Sequence, residues 1–119
     1  MTLTMSIEPY DALAIALADG SQQATVSARP SSAAARSLLH ALEAALRDGY
    51  GDCFWPGDPG GQYWWIFKRD AESLEVIAMW TRGGASLWEH VFRATDAADW
   101  VRERLTGELE RLGIATEQK

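Results

Sequence analysis

Cys53 with His40 or His90 is the thiol–imidazole combination this chain offers, and such a pair can serve as an activated nucleophile. No local nucleophile signature surrounds the cysteine, so a buried or bystander thiol is the plainer expectation. Glu89-His90 has the residue types of an acid–base or metal site. Neighbours on a strand point to opposite faces, however, so the two do not converge on one ligand. His90, between Trp88 and Phe92, is expected as a hydrogen-bonded histidine under or beside a sheet. Asp52 and Asp58 bracket an aromatic segment, where ordinary turn bonding accounts for them. Arg82-Gly83-Gly84 precedes a predicted strand and not a helix, so it lacks the context of a phosphate cradle. Metal-ligand spacing is absent. The residue types therefore argue against an enzyme, and no cofactor or metal is expected.

What remains is aromatic. Trp55, Trp64, Trp65, Trp80, Trp88 and Trp100 are the six tryptophans, and none lies in the first 54 residues. Tryptophan anchors cores and binding surfaces alike, so the question is which of the six do which. Strand alternation puts Tyr63, Trp65, Phe67 and Arg69 on one face and Trp64, Ile66 and Lys68 on the other. Leu74, Val76, Ala78 and Trp80 oppose Glu75, Ile77 and Met79, while Trp88, His90 and Phe92 oppose Leu87, Glu89 and Val91. Both faces thus carry large apolar groups, which a sheet with a fully solvated back would not. Either another segment covers the second face, or that face binds a partner or a second subunit. Trp55, among glycines and prolines, is the leading candidate for an exposed anchor, with Trp100, near the start of the last helix, next. Trp55, Trp65, Phe67, Arg82 and Trp100 form the candidate binding set.

The elements that must position these residues follow from period and punctuation. Leu3, Met5 and Ile7 alternate with polar residues, Leu13, Ile15 and Leu17 with alanines, and Ala24, Val26 and Ala28 with polar residues again. With Asp19-Gly20 as a hairpin turn, residues 2 to 29 form a three-stranded meander. A serine of Pro30-Ser31-Ser32 is the expected cap of a helix whose stripe is Ala35, Leu38, Leu39, Leu42, Ala45 and Leu46, ending at Gly49. Residues 51 to 62 read as a long glycine–proline loop. Strands are predicted near Tyr63–Arg69, Leu74–Trp80 and Leu87–Arg93. Thr95 or Asp96 then caps a helix with the stripe Ala97, Val101, Leu105, Leu109 and Leu112, closed by Gly113. The expected fold is α+β, an antiparallel sheet in the order βββα-βββα with two helices packed on one face. Residues 1–119 make one domain, with a frayed tail from about 114 to 119.

Charge narrows the partners. Seventeen acidic residues face eleven basic ones, for a net charge of −6, and the only lysines are Lys68 and Lys119. That argues against nucleic acid, which needs clustered cations. Met1–Ile7 has neither a basic leader nor an apolar run, and no membrane span is predicted, so the cytoplasm is the expected location. One cysteine excludes an intramolecular disulfide.

Cys53-Phe54-Trp55-Pro56, Gln62-Tyr63-Trp64-Trp65-Ile66-Phe67, Ala78-Met79-Trp80 and Leu87-Trp88-Glu89-His90-Val91-Phe92 together make a pattern covering the second half of the chain. It resembles that of small acidic α+β bacterial proteins, some of which are immunity partners of secreted toxins. The resemblance carries no catalytic motif and transfers no functional residues. It implies a protein partner. The expected function is therefore a small acidic protein-interaction module, with toxin neutralisation as one form of it. A small-ligand binder with an aromatic-lined pocket near the 51–62 loop is the alternative, and a homodimer through the aromatic sheet face is compatible with either.

Overall fold

Alternation at the N-terminus closes into two hairpins. The computed structural model describes residues 1–57, 60–82 and 87–114. Three antiparallel strands, β1 (Thr2–Glu8), β2 (Ala12–Asp19) and β3 (Gln22–Ala28), form the first sheet in that order. Leu3 pairs with Leu17, and Met5 with Ile15 and then Val26, so the buried face is one continuous apolar surface. Next comes α1 (Ser31–Asp48), which buries Ala34, Ala35, Leu38, Ala41, Leu42 and Ala45. Gly49 ends it, donating its N–H to the Ala45 carbonyl at 2.8 Å. The expected serine cap is replaced from outside the helix. Asp11, in the β1–β2 turn, accepts the Ser31 Oγ–H at 2.6 Å and the Ser31 N–H at 3.3 Å. A carboxylate there also suits the positive end of the helix.

The second half holds four antiparallel strands in chain order, β4 (Tyr50–Pro56), β5 (Gln62–Asp70), β6 (Ser73–Thr81) and β7 (Glu89–Ala97), followed by α2 (Ala98–Arg111). The class is α+β, but the single sheet expected from the sequence is corrected to two, of three and four strands, in the order βββα-ββββα. The additional strand is β4, which the glycine and proline signals disguised as loop. Gly51 is there for clearance and not for a turn: a Cβ on it would lie 1.9 Å from the Ala41 carbonyl oxygen of α1. Pro56 ends an edge strand, where no ladder N–H is required of it.

Helix α1 packs against β2, β4 and β5, and α2 against β1, β6 and β7. Both sheets and both helices share one hydrophobic core. Ile114, expected in the frayed tail, donates its N–H to Leu109 at 3.1 Å and packs on that core. The rest of that tail, together with Asp58 and Gly83-Gly84, lies outside the described residues. None of the described helices is long and apolar enough to cross a membrane.

Two polar devices join the sheets to their surroundings by imitating strand pairing. The Gln22 side chain donates to the Arg93 carbonyl at 2.8 Å and accepts the Arg93 N–H at 3.1 Å, so an amide side chain stands in for a neighbouring strand on β7. On β1, α2 does the same work. Glu108 accepts the Met5 N–H at 2.8 Å, Arg111 donates to the Met5 carbonyl, and Arg104 donates to the Leu3 carbonyl at 2.7 Å. Such satisfaction of edge groups protects a strand from unwanted pairing.

Glu108 is itself buried, and the Arg111 guanidinium grips both its oxygens at 2.9 and 3.0 Å. Arg111 first, and then the Met5 N–H, hold its carboxyl down at about 2 against the burial that opposes them. A depressed carboxyl stabilises the fold above its ordinary value, and that contribution is lost as pH falls from about 4.5 toward about 2. Glu108→Gln is therefore expected to melt well below the parent protein near pH 6, with the gap narrowing toward pH 2. Thermal melts across that range check it; a gap independent of pH would show that the carboxylate is not what anchors β1.

Candidate functional site

The two faces of the four-stranded sheet differ in what covers them. Inward point Gly51, Cys53 and Trp55 of β4, Trp65 and Phe67 of β5, Leu74, Val76 and Ala78 of β6, and Phe92 and Ala94 of β7. Helix α1 meets the sheet on this side, as the Ala41–Gly51 approach requires. Trp55 stands edge-on to Trp65 at 5.3 Å, and Trp65 stacks with Phe67 at 6.2 Å. The Trp55 indole donates to the Ala34 carbonyl of α1 at 3.0 Å.

These positions correct the expected binding set. Trp55, Trp65 and Phe67 are each 1% exposed, so they are packed in the core and not exposed anchors. Trp55 belongs to a strand and not to an open loop, which removes the reason for expecting it outside. Trp100 is half-buried against the core from α2. Arg82 alone of the five is exposed, just beyond β6, where it lines a small cleft with Trp80, Thr81, Leu87 and Glu89.

The outer face carries a different aromatic group, which alternation alone did not single out. Phe54, Trp64, Met79 and His90 are cross-strand neighbours in one row, beside the row Asp52, Ile66, Ile77 and Arg93. Phe54 stacks on Trp64 with ring centroids 5.5 Å apart and planes at 16°. Trp88, two residues ahead of His90, reaches back over β6 and packs on both, 5.3 Å from Trp64 and 6.0 Å from Phe54. Its approach is held by the Thr81 hydroxyl, which donates to the Leu87 carbonyl at 2.8 Å. The Trp64 indole donates to Asp52 Oδ2 at 2.9 Å, which fixes the ring that the other two lean on. Aromatic contacts in this distance range add stabilisation beyond area burial. The triad is therefore a rigid surface with its rotamers set in advance.

It is also open. Phe54 is 48% exposed, and Tyr50 on the same face of β4 is exposed too. Charged groups rim it: Asp52, Lys68 and the Glu75–Arg93 ion pair at 2.5 Å. An apolar centre with a charged rim is the anatomy of a protein contact.

A β-bulge explains why the sequence placed these groups differently. Ala78 pairs with Phe92, but Met79 pairs with His90, so Val91 is the extra residue. Phe92 is buried while His90 is exposed, on the opposite face, and the expected grouping of Trp88, His90 and Phe92 on one face is corrected. The signal that was legible is the Trp64-Trp65 pair, which strand geometry must split between faces. The fold-back of Trp88 had no sequence signature.

Cys53 and His90 lie on opposite faces of the sheet, and burial, then the charge of Asp52, push the thiol up to about 12. So little thiolate exists near neutrality that Cys53 is a poor nucleophile. Among the described residues no three histidine, cysteine or carboxylate side chains gather as metal ligands. Comparison with protein-family models, with curated proteins and with solved structures gives no match for this chain.

Proposed function

We propose that this protein is a small acidic interaction module that docks a protein partner on the outer aromatic face of its four-stranded sheet. The observation that carries the reading is the preformed and partly exposed Phe54–Trp64–Trp88 triad. Large aromatics held rigidly at the centre of a polar rim are what binding hot spots are made of. The net charge of −6 favours a basic partner, because it steers encounter with a positive surface. A toxin-neutralising role in the cytoplasm is the specific form proposed, since basic secreted toxins such as nucleases are partners of that chemistry.

The expected result is that the native cell yields one basic protein bound one-to-one. Trp88→Ala should weaken that complex by at least about tenfold, the usual consequence of truncating a hot-spot tryptophan. Trp100→Ala, on the far side of the molecule's core, should leave it within about threefold. Equal binding by wild type and Trp88→Ala, or a triad buried instead in a self-paired dimer by light scattering, would overturn the reading.

A further inference from the structure

We infer, building on the docking reading above, that the partner adds an extended segment to the open edge of β4 and sets a basic side chain opposite Asp52. The hydrogen-bond phase of β4 carries the inference. Arg69 donates its N–H to the Gly49 carbonyl at 2.9 Å, and Gly57 donates to the Gly61 carbonyl at 2.7 Å. These bonds flank a register that runs from Tyr50–Lys68 to Pro56–Gln62. Antiparallel pairs alternate between bonded and non-bonded, so Gly51, Cys53 and Trp55 are the residues that bond to β5. Tyr50, Asp52 and Phe54 turn their N–H and carbonyl groups the other way, off the edge of the sheet.

That edge is uncovered. Tyr50, Asp52 and Phe54 are all exposed, whereas Gly51 and Trp55 between and beyond them are buried. Among the described residues no strand pairs with β4 on this side, and none bonds to the backbone of these three. The edges of β1 and β7 are treated differently. Glu108, Arg111 and Arg104 occupy the Leu3 and Met5 groups of β1, and Gln22 occupies both groups of Arg93 on β7. An edge without such cover is a template for strand addition, in which backbone bonds give affinity and alternate side chains give specificity. The same three residues carry the outer-face side chains, so an added strand widens the Phe54–Trp64–Trp88 surface by one strand.

Asp52 decides what can be added. Residues directly opposite in an antiparallel pair share a face and interact, and like charges there repel. A second copy of β4, in the register that uses all three residues on both chains, sets Asp52 against Asp52. A segment with lysine or arginine at that position meets an attractive neighbour instead. Asp52 accepts the Trp64 indole N–H at 2.9 Å, and a carboxylate has acceptor sites enough to take a cation as well. Tyr50 and Phe54, two positions to either side, favour apolar residues opposite them. The intervening side chains of the segment fall on the α1 side. The helix lies so near there that a Cβ on Gly51 would be 1.9 Å from the Ala41 carbonyl oxygen, so small residues suit. The segment that fits thus alternates apolar, small, basic, small, apolar, in keeping with the net charge of −6.

The probe is a capped seven-residue peptide with lysine at its centre, valine two residues to either side and serine elsewhere, titrated into nitrogen-labelled protein. The Tyr50, Asp52 and Phe54 amide signals should shift, saturate and become protected from solvent exchange. In antiparallel addition the lysine and valine N–H groups bond to β4 and the serine N–H groups face away. N-methylation at the lysine should therefore weaken binding at least about tenfold, and at a neighbouring serine by under about threefold. Replacing the lysine by glutamate should weaken binding about fivefold, and Asp52→Lys should reverse that preference. A peptide that does not bind saturably, N-methyl groups equally harmful in both phases, or a preference for lysine that survives Asp52→Lys would each overturn the proposal. The docking reading fails separately, if Trp88→Ala leaves the native complex intact while the peptide behaves as stated.

Discussion

Trp65→Ala should cost about 3–5 kcal/mol of unfolding free energy, the range for emptying a large aromatic site in a packed core. Trp65 is 1% exposed and holds Trp55 edge-on and Phe67 in a stack, so its loss removes a ring contact from two further core aromatics. A domain of this size has only about 5–15 kcal/mol in total, and the variant should sit near the edge of folding. The companion change is more telling. The Trp65 indole nitrogen is buried with no hydrogen-bond partner, whereas that of Trp55 donates to Ala34. An unmade buried hydrogen bond costs about 1–3 kcal/mol, so Trp65→Phe removes a liability along with some contact area. Trp65→Phe should therefore lose under about 1.5 kcal/mol, and Trp55→Phe distinctly more, since it forfeits both area and a bond. Denaturant unfolding followed by circular dichroism decides it; equal losses in the two phenylalanine variants would refute the distinction.

Gly51→Ala should be nearly as damaging, at about 3 kcal/mol or more, although it adds a single methyl group. That methyl would sit 1.9 Å from the Ala41 carbonyl oxygen and 2.9 Å from the Ala45 nitrogen, so backbone has to move. The helix that would move carries Leu38, Leu42 and Ala45 into the core, and the displacement cannot stay local. Gly107→Ala is the matched control. It lies on the exposed side of α2 with nothing within 4 Å of the added carbon, and should gain up to about 1 kcal/mol from helix propensity. The same chemical change is expected to have opposite signs at the two glycines. A small effect at Gly51 would mean that α1 is not seated on β4 as described.

Much of the fold was legible because it is periodic. Leu13, Ile15 and Leu17 announced a strand, Leu38 and Leu42 a helix stripe, and Val101, Leu105 and Leu109 another, and all of these are buried in the core. The hairpin signal at Asp19-Gly20 falls one residue early, since Asp19 still pairs with Gln22 and Gly20-Ser21 make the turn, while α1 ends where Gly49 marks it. Legibility failed where a residue's usual meaning was overridden by a distant neighbour. Gly51 looked like a loop residue but is a strand residue cleared for α1. Trp55 looked exposed because of the glycines and prolines around it, yet it hydrogen-bonds across 21 positions to the helix. His90 and Phe92 share a face in an unbroken alternation, and one bulged residue separates them.

The candidate face shows the same division. That Trp64 and Trp65 must point apart is a property of any strand, so the sequence by itself determined that the aromatics serve two surfaces. It also determined the acidic charge and the types of residue available for chemistry. Which tryptophans ended outside was decided only by tertiary structure. Trp88 reaches Phe54 across β6, and Tyr63, Trp80 and Arg29 come together from separate sheets. Local periodicity records whether a side chain is up or down. It holds no record of which distant side chain will be there to meet it, because that depends on how the elements pack.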